Sequence, residues 1–202
     1  MFDPSGEWVQ TYRIESGSGE TVGLLRLERT RVRDTGFALK IQQQSVDDAG
    51  RTHEINAVAD CHADPVASLV SWRLASQFSD LSGEVMPALT VADSRPAPRS
   101  TGPLTSDWCL FEAVQRLQSS PPPFELIEGL RVPRGQHRVF YRGFQDGLHR
   151  FDRIGRVTPL WEYRVDATRR LVQASSGGLT CILDDEASRR LGEHLQRIRS
   201  GR

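Results

Sequence analysis

The chain has 202 residues, about the size of one domain, and its 38% apolar and 26% charged residues are the composition of an ordinary globular fold rather than a disordered one. Twenty-six basic and twenty-six acidic side chains cancel. A protein that neutralises nucleic-acid phosphates needs a basic field, so no nucleic-acid partner is expected.

Residues 1–92 read as a first meander of short strands separated by turn residues. Trp8, Tyr12 and Ile14 share one face of a strand over 7–14, and Ser16 to Gly19 turns the chain. In a second strand over 20–32, Leu25 and Leu27 alternate with Arg26 and Glu28. Phe37, Leu39 and Ile41 mark the third, Asp47 to Gly50 forms a hairpin connection, and His53, Ile55, Ala57 and Ala59 share a face of the fourth. After Ala63-Asp64-Pro65, the residues Val70, Trp72, Leu74 and Phe78 define the inner face of a fifth strand. A sixth, over 84–91, is confined to an edge by Pro87.

Residues 93–123 form a Pro-rich crossover and a helix. Ser106 or Asp107 caps that helix, Leu110, Ala113, Val114 and Leu117 make its apolar stripe, and Pro121 to Pro123 end it. A second meander covers 124–183, with tight turns at Pro133-Arg134-Gly135 and Gln145-Asp146-Gly147. Trp161, Tyr163 and Val165 alternate within it, 166–169 turns, and Gly177-Gly178 leads to a last strand. Residues 184–202 read as a C-terminal helix with acids at its start and Arg197 and Arg199 at its end, both favourable against its dipole. Six strands before the first helix exclude a doubly wound fold. The expected architecture is a single domain, mainly β (α+β): a curled antiparallel sheet or half-barrel with one inserted helix and a C-terminal helix.

Chemical signatures are absent. There is no Gly-x-x-x-x-Gly-Lys, because the only lysine, Lys40, lies inside a strand, and no Gly-x-Gly-x-x-Gly, Cys-x-x-Cys, His-x-x-x-His or Gly-x-Ser-x-Gly. No cofactor and no metal are expected; Cys61 and His62 are adjacent on a strand and face opposite ways. Three cysteines, Cys61, Cys109 and Cys181, cannot all pair within one chain, which argues against a disulfide framework and for a reducing compartment. No apolar run reaches the ~20 residues that span a bilayer. No charged and apolar leader opens the chain, so a cytoplasmic location is expected, or a periplasmic or secreted one if a signal peptide has been removed.

The segment Thr158-Pro159-Leu160-Trp161-Glu162-Tyr163-Arg164-Val165-Asp166, continuing through Arg170-Leu171-Val172 to Gly178-Leu179, resembles the strand–turn–strand that closes the sheet in periplasmic lipoprotein carriers of the LolA/LolB type and in uncharacterised bacterial relatives. The order of meander, Pro-rich crossover, helix and second meander is similar as well. That resemblance implies a concave sheet with an apolar cavity under a helix, and binding rather than catalysis.

Three functional readings follow. The first is a non-enzymatic protein holding an apolar or amphipathic ligand, such as a lipid, with Trp72, Leu74, Phe78, Trp161 and Tyr163 as lining and the inserted helix as plug or lid. The second is a small hydrolase or isomerase that uses His53, His137 or His149 with a carboxylate. The third is an interaction module, with homo-oligomer contacts through the edge around Pro87 and the C-terminal helix.

Overall fold

Alternating apolar residues build nearly every strand where the sequence places one. In a computed structural model the described residues are 1–32, 36–47, 49–76, 79–84, 90–91, 102–156 and 158–187, with the backbone alone for 79, 80, 84, 90 and 91. The first arm contains β1 (Trp8–Ser16), β2 (Thr21–Val32), β3 (Gly36–Val46), β4 (Thr52–His62), β5 (Leu69–Ser76), β6 (Ser79–Glu84) and the two-residue β7 (Thr90–Val91). A short β8 (Leu104–Ser106) precedes the helix α1 (Asp107–Arg116). The second arm contains β9 (Phe124–Glu128), β10 (Val132–Gln145), β11 (Leu148–Gly155), β12 (Trp161–Asp166), β13 (Leu171–Ser176) and β14 (Leu179–Leu183).

All fourteen belong to one sheet in the order β7-β6-β5-β4-β3-β2-β1-β14-β13-β12-β11-β10-β9-β8. The arms join where β1 pairs with β14, with Ile14 opposite Cys181. Neighbours are antiparallel except β8 and β9, which run parallel because α1 carries the chain back between them. The sheet curls until β8 reaches the β4–β5 connection, where the Thr105 hydroxyl donates to the carbonyls of Val66 at 2.7 Å and Ala67 at 3.2 Å. The architecture is therefore a mainly β, curled open sheet with an inserted helix.

Helix α1 starts where Ser106 accepts a hydrogen bond from the Cys109 N–H at 3.1 Å and ends as Arg169 donates to the carbonyls of Gln115 and Leu117. The expected stripe of Leu110, Ala113, Val114 and Leu117 is buried, but so is every residue from Trp108 to Gln115. A helix enclosed on all sides must satisfy its polar side chains internally. Glu112 pairs with Arg29 at 2.9 Å and Arg116 at 2.7 Å. Gln115 exchanges two hydrogen bonds with Gln10, which also accepts from the Tyr12 hydroxyl at 2.6 Å.

Two local expectations are corrected. Val70 does not face inward. The β4–β5 register shifts between Asp60 and Cys61, which puts Leu69 in the core and leaves Val70 exposed before Trp72 and Leu74 resume the inner face. Pro133-Arg134-Gly135 is not a turn but lies inside β10, where the pairing with β9 shifts between Pro133 and Gly135. The turn falls earlier, at Gly129 and Leu130, both with φ of 55°. Leucine rarely adopts that backbone, so the composition hid the turn. Phe78, Pro87 and residues 188–202 of the expected C-terminal helix lie outside the described residues.

Candidate functional site

The two faces of the sheet offer different environments. On the inner face, Phe111 of α1 contacts Tyr12, Tyr163 and Trp161 edge-on, with ring centroids 5.4, 6.0 and 6.2 Å away. Trp161 and Tyr163 stack at 6.0 Å. Thus two of the expected lining residues come together around the helix. Trp72 and Leu74 sit on β5, with six strands between them and β12 in sheet order. Trp72, Leu74 and Tyr163 are buried in one continuous core, and Trp161 is half-buried against it. The Trp72 ring folds over Gly83, where a Cβ would lie 2.3 Å from it, so the glycine makes room for the indole across the β5–β6 pair.

Arg153, on β11, is also fully buried. Its guanidinium lies 5.4 Å from the Trp161 ring, and none of its nitrogens has a hydrogen-bond partner among the described residues. The charge of Arg153 counteracts burial at Asp107, whose carboxyl burial pushes above the usual range and whose oxygen accepts from the Gly129 N–H at 2.8 Å.

The outer face carries an open trough of about 690 Å³. Cross-strand pairing explains its composition. One outward row runs Arg26, Gln42, Asn56, Ala75, and the next runs Glu28, Lys40, Val58, Arg73, Ser82. Between them lies the inward row of Ile41, Ala57, Leu74 and Leu81. Residues of an inward row present main chain to the opposite face, so that row floors the trough. Of the expected lining residues that are described, Leu74 alone borders it.

Charge is distributed unevenly along the trough. Glu28 accepts from Lys40 at 2.8 Å and pairs with Arg26 at 3.2 Å, and the Lys40 hydrogen bond chiefly holds its carboxyl below the usual range. Arg26 also donates to Gln42 at 2.9 Å. Arg73, exposed beside Val58 and Ala75, has no ion pair among the described residues. Among the described residues the trough thus has three cations to one carboxylate, and the cation with no ion pair among them sits at its apolar end.

The chain is similar in fold to a β-barrel-like protein of a domain of unknown function, DUF1849, from Brucella abortus. The two are 7% identical with a TM-score of 0.56, over 89% of this chain and 96% of that one. A DUF1089-family protein from Pseudomonas aeruginosa is 12% identical with a TM-score of 0.47, over 88% of this chain and 92% of that one. No family model matches the chain, and no curated protein matches it. The first likeness establishes the curled, barrel-like architecture and nothing about ligand or reaction.

The histidines meet different partners. His53 lies 3.0 Å from an Asp47 oxygen at the β3–β4 hairpin, but Asp47 also accepts from the Arg51 side chain and from the backbone N–H groups of Ala49 and Arg51. These bonds, that from His53 foremost, hold the Asp47 carboxyl far below its usual range. A carboxylate so fully engaged orders the turn. His137 is buried and stacked on Phe124, within 2.8 Å of the Thr158 hydroxyl and 2.9 Å of the Gly135 carbonyl. His149 contacts the Tyr141 hydroxyl at 3.0 Å. Cys61 is buried and His62 exposed, on opposite faces of β4. No described helix is long and apolar enough to cross a membrane.

Proposed function

We propose that this chain is a non-catalytic binding protein that holds an amphipathic molecule with an acidic group in the trough on the outer face of its curled sheet. The observation that carries this reading is the trough itself: a volume of about 690 Å³, with Val58 and Ala75 beside Arg73, a cation without an ion pair among the described residues. Small-molecule sites typically have volumes of ~300–1,000 Å³, lined by apolar surface with a few placed polar groups. A long-chain fatty acid fits that description, its carboxylate on Arg73 and its chain along the Leu74 row. The ligand class agrees with what the resemblance to lipoprotein carriers implies. In this reading the main chain at Leu74 floors the site, and Trp72, Trp161 and Tyr163 belong to the core on the opposite face.

The test is calorimetric titration of the protein with palmitate and with hexadecanol. Palmitate should bind in the micromolar range and hexadecanol more weakly. Arg73→Ser should reduce palmitate affinity about tenfold or more, the loss of one charge-assisted hydrogen bond. Equal binding of the acid and the alcohol, or an unchanged affinity in R73S, would refute the reading.

A further inference from the structure

Cys61 and Cys109 come from distant parts of the chain, β4 and the first turn of α1. Both are buried, and their Sγ atoms lie 3.6 Å apart. Sulfurs in a disulfide sit about 2.05 Å apart, so bonding needs a closure of roughly 1.5 Å, within reach of small side-chain rotations. Cys181 is buried on β14 and has no sulfur neighbour among the described residues. The first meander meets α1 here, as it does at the Glu112–Arg29 and Gln115–Gln10 pairs, and the helix also packs on β8, β9, β12 and β13.

We propose that Cys61 and Cys109 form a disulfide that pins α1 to β4 when the protein folds in an oxidising compartment. The oxidant is a second disulfide, either a small-molecule one or that of a thiol oxidoreductase. One cysteine thiolate attacks it, forming a mixed disulfide and releasing one thiol. The other thiolate attacks the protein sulfur of that mixed disulfide, closing the Cys61–Cys109 bond and releasing the second thiol. Two protein thiols are oxidised and one disulfide is reduced, so the electrons balance and the protons from the cysteines end on the released thiols.

Contact with the Cys109 thiol, together with burial, holds the Cys61 thiol well above its ordinary range. Exchange therefore belongs to the stage of folding before α1 is docked, and the finished core protects whichever state was reached. The bond would enclose the segment that carries β5 and β6, one wall of the trough. This inference does not depend on what the trough binds.

The experiment is to refold the full chain from urea in a glutathione redox buffer, and in parallel under a reducing agent. Thiols are then blocked in denaturant and mapped by peptide mass spectrometry, with Cys61→Ala, Cys109→Ala and Cys181→Ala treated alike. The expected result is a Cys61–Cys109 linked peptide with Cys181 blocked, and a Tm roughly 5–15 °C above that of the reduced protein. C181A should keep the link, and C61A and C109A should lose both link and Tm difference. Three blocked cysteines after oxidative refolding, a link that includes Cys181, or a Cys61–Cys109 link without a rise in Tm would each overturn the proposal.

Discussion

Two arginines, Arg29 on the inner face beside α1 and Arg73 on the outer face across β2–β6, are put to opposite uses. Inside, Arg29 is 4% exposed and spends its guanidinium on Glu112, at 2.9 Å, and on the carbonyls of Ser5 and Gly6, both at 2.6 Å, while lying 4.3 Å from the Phe37 ring. Outside, Arg73 is exposed and has no ion pair among the described residues. A buried charge held by a carboxylate and two carbonyls fastens the helix to the sheet. An exposed charge beside apolar surface has hydrogen bonds to give to something else. The two side chains thus contrast a charge that secures the fold with the one the proposed ligand would use.

The largest expected effect of breaking that comparison comes from the inside. Glu112→Ala leaves Arg29 without its carboxylate in the core and should destabilise the protein by about 3–5 kcal/mol. Urea unfolding checks it: a loss under 1 kcal/mol would mean that the Glu112 pairs are not what secures α1. The palmitate variant makes the opposite contrast. Arg73→Ser should leave stability within about 0.5 kcal/mol while weakening the ligand, because an exposed side chain away from packing contributes little to folding.

A smaller effect should appear with pH. Burial, with the charge of Arg153 adding to it, lowers the pKa of His137. The unfolded chain then takes up the proton more readily than the folded one, so protonation favours unfolding. Stability from this group is therefore complete above the ordinary imidazole value of about 6.5 and falls as pH drops below it toward the lower folded value. Thermal unfolding at pH 7.5 and pH 5 should show a lower Tm in acid, and His137→Gln should reduce that drop. An equal drop in H137Q would assign the acid sensitivity to other groups.

Much of the fold was legible in the sequence because period-two alternation is a local signal. Leu25 and Leu27, Phe37, Leu39 and Ile41, and Ala57 and Ala59 all face the core as alternation implies. The cap at Ser106 and the stripe on α1 were equally readable. What escaped depended on pairing with other strands. Val70 faces outward because of a register shift set by β4, and Gly135 sits in a shifted strand rather than a turn.

The candidate site escaped for a related reason. Arg26, Gln42 and Asn56 lie many residues apart and become neighbours only through cross-strand register. Read singly, each is a polar residue on a solvated face. The aromatic residues Trp72, Trp161 and Tyr163 drew notice as lining because they are large and alternate, properties that core residues share. A usable signal was the run of outward residues on β2 to β5, aligned strand against strand, with Val58 and Ala75 interrupting a polar surface.

The measurement that bears most directly on the trough is mapping of amide chemical shifts in ¹⁵N-labelled protein as palmitate is added. The changes should cluster on the cross-strand rows that contain Arg26, Lys40, Asn56, Arg73 and Leu74. Phe111, Trp161 and Tyr163 should remain still. Changes centred on Phe111, Trp161 and Tyr163, with the β2–β5 rows unmoved, would contradict the account and place the ligand inside the curl instead.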